Sequence, residues 1–213
     1  MNVIFIAPPA AGKGTQAEML EKEFNMYHLS TGDLLREIAS SDTNLGREVK
    51  EIIDNGKLVD DELMLKLLKE KISTIDSNGI IFDGFPRTIR QAEMLDELLN
   101  SMNQRVDKVI YLEVDKEVAL KRATGRVTCQ NCGSIYNIYL DNIVDNKCSN
   151  CNASLTKRED DTEEKFSVRF DTYLTNTKPL IDYYDKAGVL YKVSSMGDKL
   201  DIFNNIKSII EGK

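Results

Sequence analysis

Ile4-Phe5-Ile6-Ala7-Pro8-Pro9-Ala10-Ala11-Gly12-Lys13-Gly14-Thr15-Gln16 is the stretch from which the rest of the chain is best read. A short apolar strand enters a loop of small residues, followed by a lysine, a hydroxyl residue and a helical stretch from Ala17. Small side chains let backbone N–H groups close around anionic oxygens, and the helix that follows turns its positive end toward them. Lys13 adds a mobile charge, and the Thr15 hydroxyl suits a magnesium ion or a phosphate oxygen. The layout predicts a cradle for nucleotide phosphates. Two glycines usual in such loops are replaced, by Ala7 at the strand end and Ala10 at the crest. If position 10 requires a positive φ, alanine there costs about 1 kcal/mol.

Outward from the loop, strand-like runs fall at 2–6, 27–29, 79–83, 106–114 and 189–193. Several are continuous Ile/Val/Phe segments, the pattern of parallel strands covered on both faces. Helical patterns at 14–24, 32–39, 61–75, 89–102, 116–124, 162–187 and 199–210 alternate with them, the second capped by Ser30 or Thr31. The expected fold is α/β: a doubly wound five-stranded parallel sheet with helices on both faces. Ligands in such folds bind beyond the carboxyl ends of the strands. Two segments break the alternation. Residues 30–57 hold only helices, and 126–161 turn to Cys, Asn, Gly and Tyr. Both read as insertions hinged on the core.

Two hundred and thirteen residues, 41% of them hydrophobic, fit one core domain with insertions. No apolar run approaches the roughly 18 residues of a membrane span, and Val3–Ile6, without a basic segment before it, reads as a strand and not a signal peptide. Twenty-eight basic against 35 acidic residues give a net charge of −7, which argues against general nucleic-acid binding. An anionic ligand must therefore be held by local arginine clusters. Four cysteines without an export signal suggest a reducing compartment, so a soluble cytoplasmic protein is expected.

Cys129-x2-Cys132, fifteen residues, then Cys148-x2-Cys151 is the spacing of a four-thiolate zinc site. Four protein ligands fill the tetrahedron, so the ion is expected to be structural. Two disulfides or four free thiols are the plain alternatives. A nucleic-acid-binding ribbon would want interleaved basic residues, and 127–156 offers only Lys147. The metal is expected to stiffen a flap too small for a core of its own.

Ile80-Ile81-Phe82-Asp83-Gly84-Phe85-Pro86-Arg87-Thr88 sets an acid at the end of a buried strand, then a turn and an arginine. Asp83 is placed to organise magnesium, directly or through water; the plainer reading has it capping the turn. Arg36, Arg87, Arg122, Arg126, Arg158 and Arg169 suit forked binding of phosphate oxygens, although each alone reads as a surface charge. The only histidine, His28, reads as structural, and Asp160 and Asp161 as hinge contacts or a helix N-cap.

Assembled, these motifs resemble the adenylate kinase family over essentially the whole chain. They are Gly12-Lys13-Gly14-Thr15-Gln16, Leu29-Ser30-Thr31-Gly32-Asp33-Leu34-Leu35-Arg36, Gly56-Lys57-Leu58-Val59, Phe82-Asp83-Gly84-Phe85-Pro86-Arg87-Thr88 with Gln91, and Thr124-Gly125-Arg126. Arg158-Glu159-Asp160-Asp161, with Arg169 eleven residues after Arg158, completes the set, and the cysteines resemble the zinc-bearing, long-lid branch.

The resemblance implies reversible Mg-dependent transfer of a phosphoryl group from ATP to AMP, giving two ADP. It implies that Ala10, Ala11, Gly12, Lys13, Gly14 and Thr15 hold the ATP phosphates, with Ile135, Tyr136 and Met196 bordering its base and ribose. Thr31, Arg36, Lys57, Leu58, Val59, Gly84, Phe85, Pro86, Arg87 and Gln91 would hold AMP, Gln91 reading the adenine edge and Arg36 and Arg87 the phosphate. Arg122, Arg126, Arg158 and Arg169 would clamp the phosphates under a closing lid. The implied domains are a core (1–29, 60–125, 162–213), an AMP-binding domain (30–59) and a zinc-containing lid (126–161) in a monomer. Departures from the family pattern are Ala7 and Ala10, Asp60 where Val-Pro-Asp is usual, and Val127 where a second arginine often follows the first. A nucleotide-binding regulatory module with weakened transfer, or a kinase for another nucleoside monophosphate, are the alternative readings.

Overall fold

The computed structural model describes residues 1–55 and 59–212. Five parallel strands form the central sheet: β1 (Asn2–Ile6), β2 (Tyr27–Ser30), β3 (Ile80–Asp83), β4 (Lys108–Glu113) and β8 (Leu190–Ser194), in the order β2-β3-β1-β4-β8. The register sets Ile4 beside Phe82 and Val109, and Ser30 beside Asp83, so the strands end together on one edge. Alternation along β1 explains the layering. Ile4 and Ile6 pack with Phe82, Leu95, Leu99, Leu180 and Tyr184 on one face. Val3 and Phe5 pack with Ala17, Leu20, Ile110 and Ile206 on the other.

The first face is covered by α4 (Asp61–Ile72), α5 (Ile89–Ser101) and α8 (Leu180–Lys186), the second by α1 (Lys13–Phe24) and α9 (Lys199–Glu211). Truncating a fully buried side chain such as Leu99 removes about 2–5 kcal/mol from cores of this kind. Helices α2 (Thr31–Ala39) and α3 (Asn44–Asp54) follow β2, and Ser30 caps α2 by accepting from the Asp33 amide. Helix α6 (Lys116–Thr124) leads into the cysteine segment and packs Ala119 and Ala123 on Phe166 and Phe170 of α7 (Glu163–Thr172).

Three expectations need correction. The long helix expected over 162–187 is broken into α7, a five-residue π turn at Tyr173–Thr177, and α8. The Lys178 amide reaches back five residues to the Tyr173 carbonyl, at 2.9 Å, and Pro179 has no amide to continue the ladder. The cysteine segment contains a small antiparallel sheet, β6-β5-β7, made of β5 (Arg126–Cys129), β6 (Ile135–Asn137) and β7 (Leu155–Thr156). Its strands of two to four residues are too short for alternation to reveal them. Helix α4 also ends at Ile72, earlier than expected, where the Ser73 and Thr74 hydroxyls bond the Glu70 and Lys71 carbonyls.

Among the described residues, no helix is long and apolar enough to cross a membrane.

Candidate active site

The β1–α1 loop wraps the start of α1 through two left-handed residues, Ala10 at φ 60° and Gly12 at φ 88°. The condition raised for position 10 is met, so Ala10 carries the strain of a Cβ in that region. The loop is braced from the far end of the sheet. Ser195 donates its hydroxyl to the Ala11 carbonyl and accepts from Arg122 Nη1 at 3.2 Å, while Gln16 Nε2 donates to the Lys199 carbonyl at 3.0 Å.

Asp83, at the end of β3, does not cap the turn after it. Its carboxylate lies 2.6 Å from Lys13 Nζ and 3.0 Å from His28 Nε2. Burial would raise its pKa, but the Lys13 charge and the His28 hydrogen bond hold it well below the usual carboxylate range. Burial alone would lower His28; the hydrogen bond to Asp83 and its charge raise it. The histidine is thus a structural residue whose structural role is at the site itself.

Gly84 sits at φ 91° beside Asp83, and a Cβ there would meet Thr31 Oγ1 at 2.6 Å, so only glycine fits. Thr31 Oγ1 donates to the Asp83 carbonyl at 3.2 Å, and Arg87 Nε donates to the Gly84 carbonyl at 2.7 Å. Gln91 takes the Arg87 amide on its Oε1 at 2.7 Å and gives its Nε2 to Asp61 at 2.7 Å. The π turn reaches this segment as well: Thr177 Oγ1 donates to the Arg87 carbonyl at 3.1 Å.

The arginines converge. Lys13, Arg36, Arg87, Arg122, Arg126, Arg158 and Arg169 line one cleft of about 720 Å³ beyond the carboxyl ends of the strands. Burial and then Arg169 lower Arg87; burial and then Arg126 and Arg36 lower Arg158. Arg126 is the exception, raised by its fork onto buried Asp161 (Nε to Oδ2, 2.7 Å) despite the burial that would lower it. Asp160 receives Arg169 Nη1 at 2.9 Å. The N-cap of α7 is Thr162, which accepts from the Lys165 amide, so neither aspartate caps it; Asp161 pairs with Arg126 and Asp160 with Arg169.

Of the residues expected to touch nucleotide, Ala10, Ala11, Gly12, Lys13, Gly14, Thr15, Gly84, Pro86, Ile135 and Tyr136 also line the cleft. Thr31, Val59, Phe85 and Gln91 are buried and are not part of its lining, and Met196 is exposed between Ser195 and Gly197, which are. Lys57 and Leu58 lie outside the described residues. Sequence reasoning missed Ser195, whose signal was its place just past the last strand, and Asp61 as the partner of Gln91. Two departures from the family pattern have local reasons. Asp60 caps α4 through the Glu62 and Leu63 amides, and Val127 is buried with Cys129, Cys148 and Leu155 in the core of the small sheet.

The four cysteine sulfurs all lie within 4.8 Å of one another. Cys129–Cys151, Cys132–Cys148 and Cys132–Cys151 are 3.4, 3.5 and 3.4 Å apart. Four thiolates on a tetrahedral zinc stand about 3.8 Å apart, given Zn–S bonds of about 2.3 Å, so the donor set fits such an ion. The two knuckles repeat one turn: the Gly133 amide bonds the Cys129 carbonyl, and the Asn152 amide bonds that of Cys148. Hydrogen bonds from the Ser134 side chain and backbone lower the Cys132 thiol, while the Cys129 thiol, which its backbone hydrogen bonds would lower, is raised by burial and by its Cys151 and Cys132 neighbours. Tyr136 Oη contacts Cys148 Sγ at 3.3 Å while its residue lines the cleft, so the cysteine cluster and the cleft share a side chain.

A parallel sheet with a phosphate loop at its switch point, a lysine and a strand-end aspartate, ringed by arginines, defines a P-loop nucleotide phosphotransferase. The family model described as adenylate kinase matches residues 5–189. The chain is 46% identical to an adenylate kinase of Archaeoglobus fulgidus, over 99% of this chain and 98% of that one. It is 44% identical to the adenylate kinase of Thermodesulfovibrio yellowstonii over 100% of both, and 45% to that of Thermosipho africanus over 99% of both. The chain belongs to the adenylate kinase family, the ATP:AMP phosphotransferases.

Proposed function

We propose that the cleft transfers the γ-phosphoryl group of ATP to AMP by the following division of labour. A phosphate oxygen of AMP attacks the γ-phosphorus while the β–γ bridging P–O bond breaks, yielding two ADP. The step needs alignment and charge stabilisation more than proton transfer. The loop Ala10–Thr15 holds the ATP phosphates through its amides and the start of α1. Lys13 leaves Asp83 for the transferred group. Arg36 and Arg87 hold the AMP phosphate, and Thr31, Val59 and the 84–86 turn shape its pocket. Gln91 reads the adenine. Arg122, Arg126, Arg158 and Arg169 close on the charge that develops between the nucleotides, and Ile135 and Tyr136 cover the ATP base beside the Ser195–Gly197 turn.

Residues 30–59 act as the AMP-binding domain and 126–161 as the lid, whose closure excludes water that would otherwise hydrolyse ATP. Thr15 and Asp83 would hold magnesium, their hard oxygen donors suiting it, and the ion supplies neutralisation of polyphosphate charge. The four cysteines hold zinc as a structural ion. Four unpaired thiols fit a reducing, cytoplasmic setting.

The observation that carries this reading is the gathering of six arginines and Lys13 around one cleft, with several lowered by burial and by each other. Bound polyphosphate relieves that crowding. The test is turnover on AMP, CMP, UMP and GMP with ATP and magnesium, beside Lys13→Ala. AMP is expected to be the preferred acceptor, and Lys13→Ala to lose about 10²–10³-fold in kcat. Equal turnover by Lys13→Ala, or a preference for a pyrimidine monophosphate, would overturn it.

A further inference from the structure

The side-chain amide of Gln91 is held in a way that the proposed contact with adenine alone does not require. A carboxamide free to rotate by 180° presents its donor and acceptor in either order. Adenine offers an acceptor at N1 beside a donor at the 6-amino group, whereas hypoxanthine and guanine offer a donor at N1–H beside an acceptor at O6. A freely flipping glutamine therefore pairs with either kind of purine. It discriminates only if something else fixes which end is which.

Gln91 is fixed at both ends by partners that cannot exchange roles. Its Oε1 takes the backbone N–H of Arg87 at 2.7 Å, a group that only donates. Its Nε2 gives a hydrogen to Asp61 Oδ1 at 2.7 Å, and an ionised carboxylate only accepts. Flipping the amide would set Oε1 against the carboxylate and the NH₂ against an N–H, losing both bonds and making two repulsive contacts. The residue is 3% exposed, so water cannot replace what the flip would break. Asp61 is itself steadied: it opens α4, whose N-cap is Asp60, and its Oδ2 lies 3.9 Å from Arg90 Nε. One hydrogen on Nε2 and one lone pair on Oε1 remain for the base.

We propose that Asp61 is a specificity-determining residue for the monophosphate substrate, acting by locking the Gln91 amide in the orientation that pairs with 6-aminopurines and rejects 6-oxopurines. This rests on the reading that Gln91 faces the adenine of AMP. Asp61 touches no substrate; it is a positioning residue.

The test compares kcat/KM for AMP with that for inosine monophosphate, which presents N1–H and O6 and lacks the 2-amino group that would confuse shape with pairing. The full-length, metal-loaded protein is used with ATP saturating. Asp61→Ala removes the acceptor and leaves only the Arg87 amide as anchor, whereas Asp61→Asn replaces a group that only accepts with one that can turn either its oxygen or its NH₂ to Gln91. In either variant the AMP-over-IMP preference is expected to narrow by about tenfold, as when one charge-assisted hydrogen bond is lost. KM for ATP should stay unchanged, and Asp61→Glu should restore part of the preference. Gln91→Leu should abolish the preference altogether. If Gln91→Leu loses it while both Asp61 variants keep it within about twofold, the lock is refuted and the role of Gln91 stands. If Gln91→Leu keeps it, the role of Gln91 fails and the lock fails with it. If Asp61 variants raise KM for ATP in step with that for AMP, Asp61 is a general support and the proposal is overturned.

Discussion

At the residue scale the chemistry depends on a few charges held ready by one another. Lys13 and Asp83 are paired at 2.6 Å and His28 leans on the same carboxylate, so the loop lysine is kept at the strand end until phosphate competes for it. The pair has opposite pH signatures. The folded pKa of Asp83 is depressed, so its contribution to stability is present above about pH 3.9 and is lost as pH falls toward the folded value. The folded pKa of His28 is raised, so its contribution is full below about pH 6.5 and is lost as pH climbs through the folded value. Denaturant unfolding across pH 6 to 9 should therefore show wild type losing stability with a slope that His28→Gln lacks, and parallel curves would contradict the assignment. Part of this scale could be read beforehand: the loop and Asp83 at a strand end follow from residue type and position, whereas each arginine alone reads as a surface charge and their gathering at one cleft does not follow from sequence. The partners could not. That Asp83 binds His28, or that Asp61 faces Gln91 from thirty residues away, depends on strand register and helix placement that no local pattern encodes.

At the element scale, the legible parts were those with strong periodicity. Strand β1 matched its expected bounds and α6 matched both ends, because Ile/Val runs and amphipathic spacing are set locally. The π turn in 173–177 and the three short strands of the cysteine segment were not legible: the turn is a one-residue shift of a helical ladder just before Pro179, and strands of two to four residues are too short to show alternation. Among the described residues the small sheet buries Val127, Cys129, Cys148 and Leu155 as its core, too little to stand alone, so an ion bridging the sulfurs should supply much of its stability. Metal analysis is expected to find one thiophilic ion per chain. Stripping it with a strong chelator should lower the melting temperature and raise KM for ATP more than KM for AMP, since Tyr136 links Cys148 to the ATP side of the cleft. Metal-free protein with unchanged melting would rule out the structural ion.

At the scale of the whole molecule, the sheet serves to bring loops from distant parts of the chain to one edge. The phosphate loop follows β1, Asp83 and Arg87 follow β3, Ser195 follows β8, and Arg126 and Arg158 bracket the cysteine segment that overhangs them. Doubly wound topology made this edge predictable as the place for a ligand, while the 720 Å³ cleft also takes lining residues from 30–36 and 126–158, which no local pattern brings together. A cleft lined from both segments suits a reaction in which two nucleotides must meet with water kept out. The central claim is that the γ-phosphoryl group passes to AMP and not to water. It is tested most directly by following ³¹P resonances in a mixture of ATP, AMP and magnesium with catalytic amounts of the protein. The account predicts that AMP and ATP fall together as ADP rises to an equilibrium approached from either side, with no inorganic phosphate formed. Release of inorganic phosphate from ATP at a rate indifferent to AMP would contradict it.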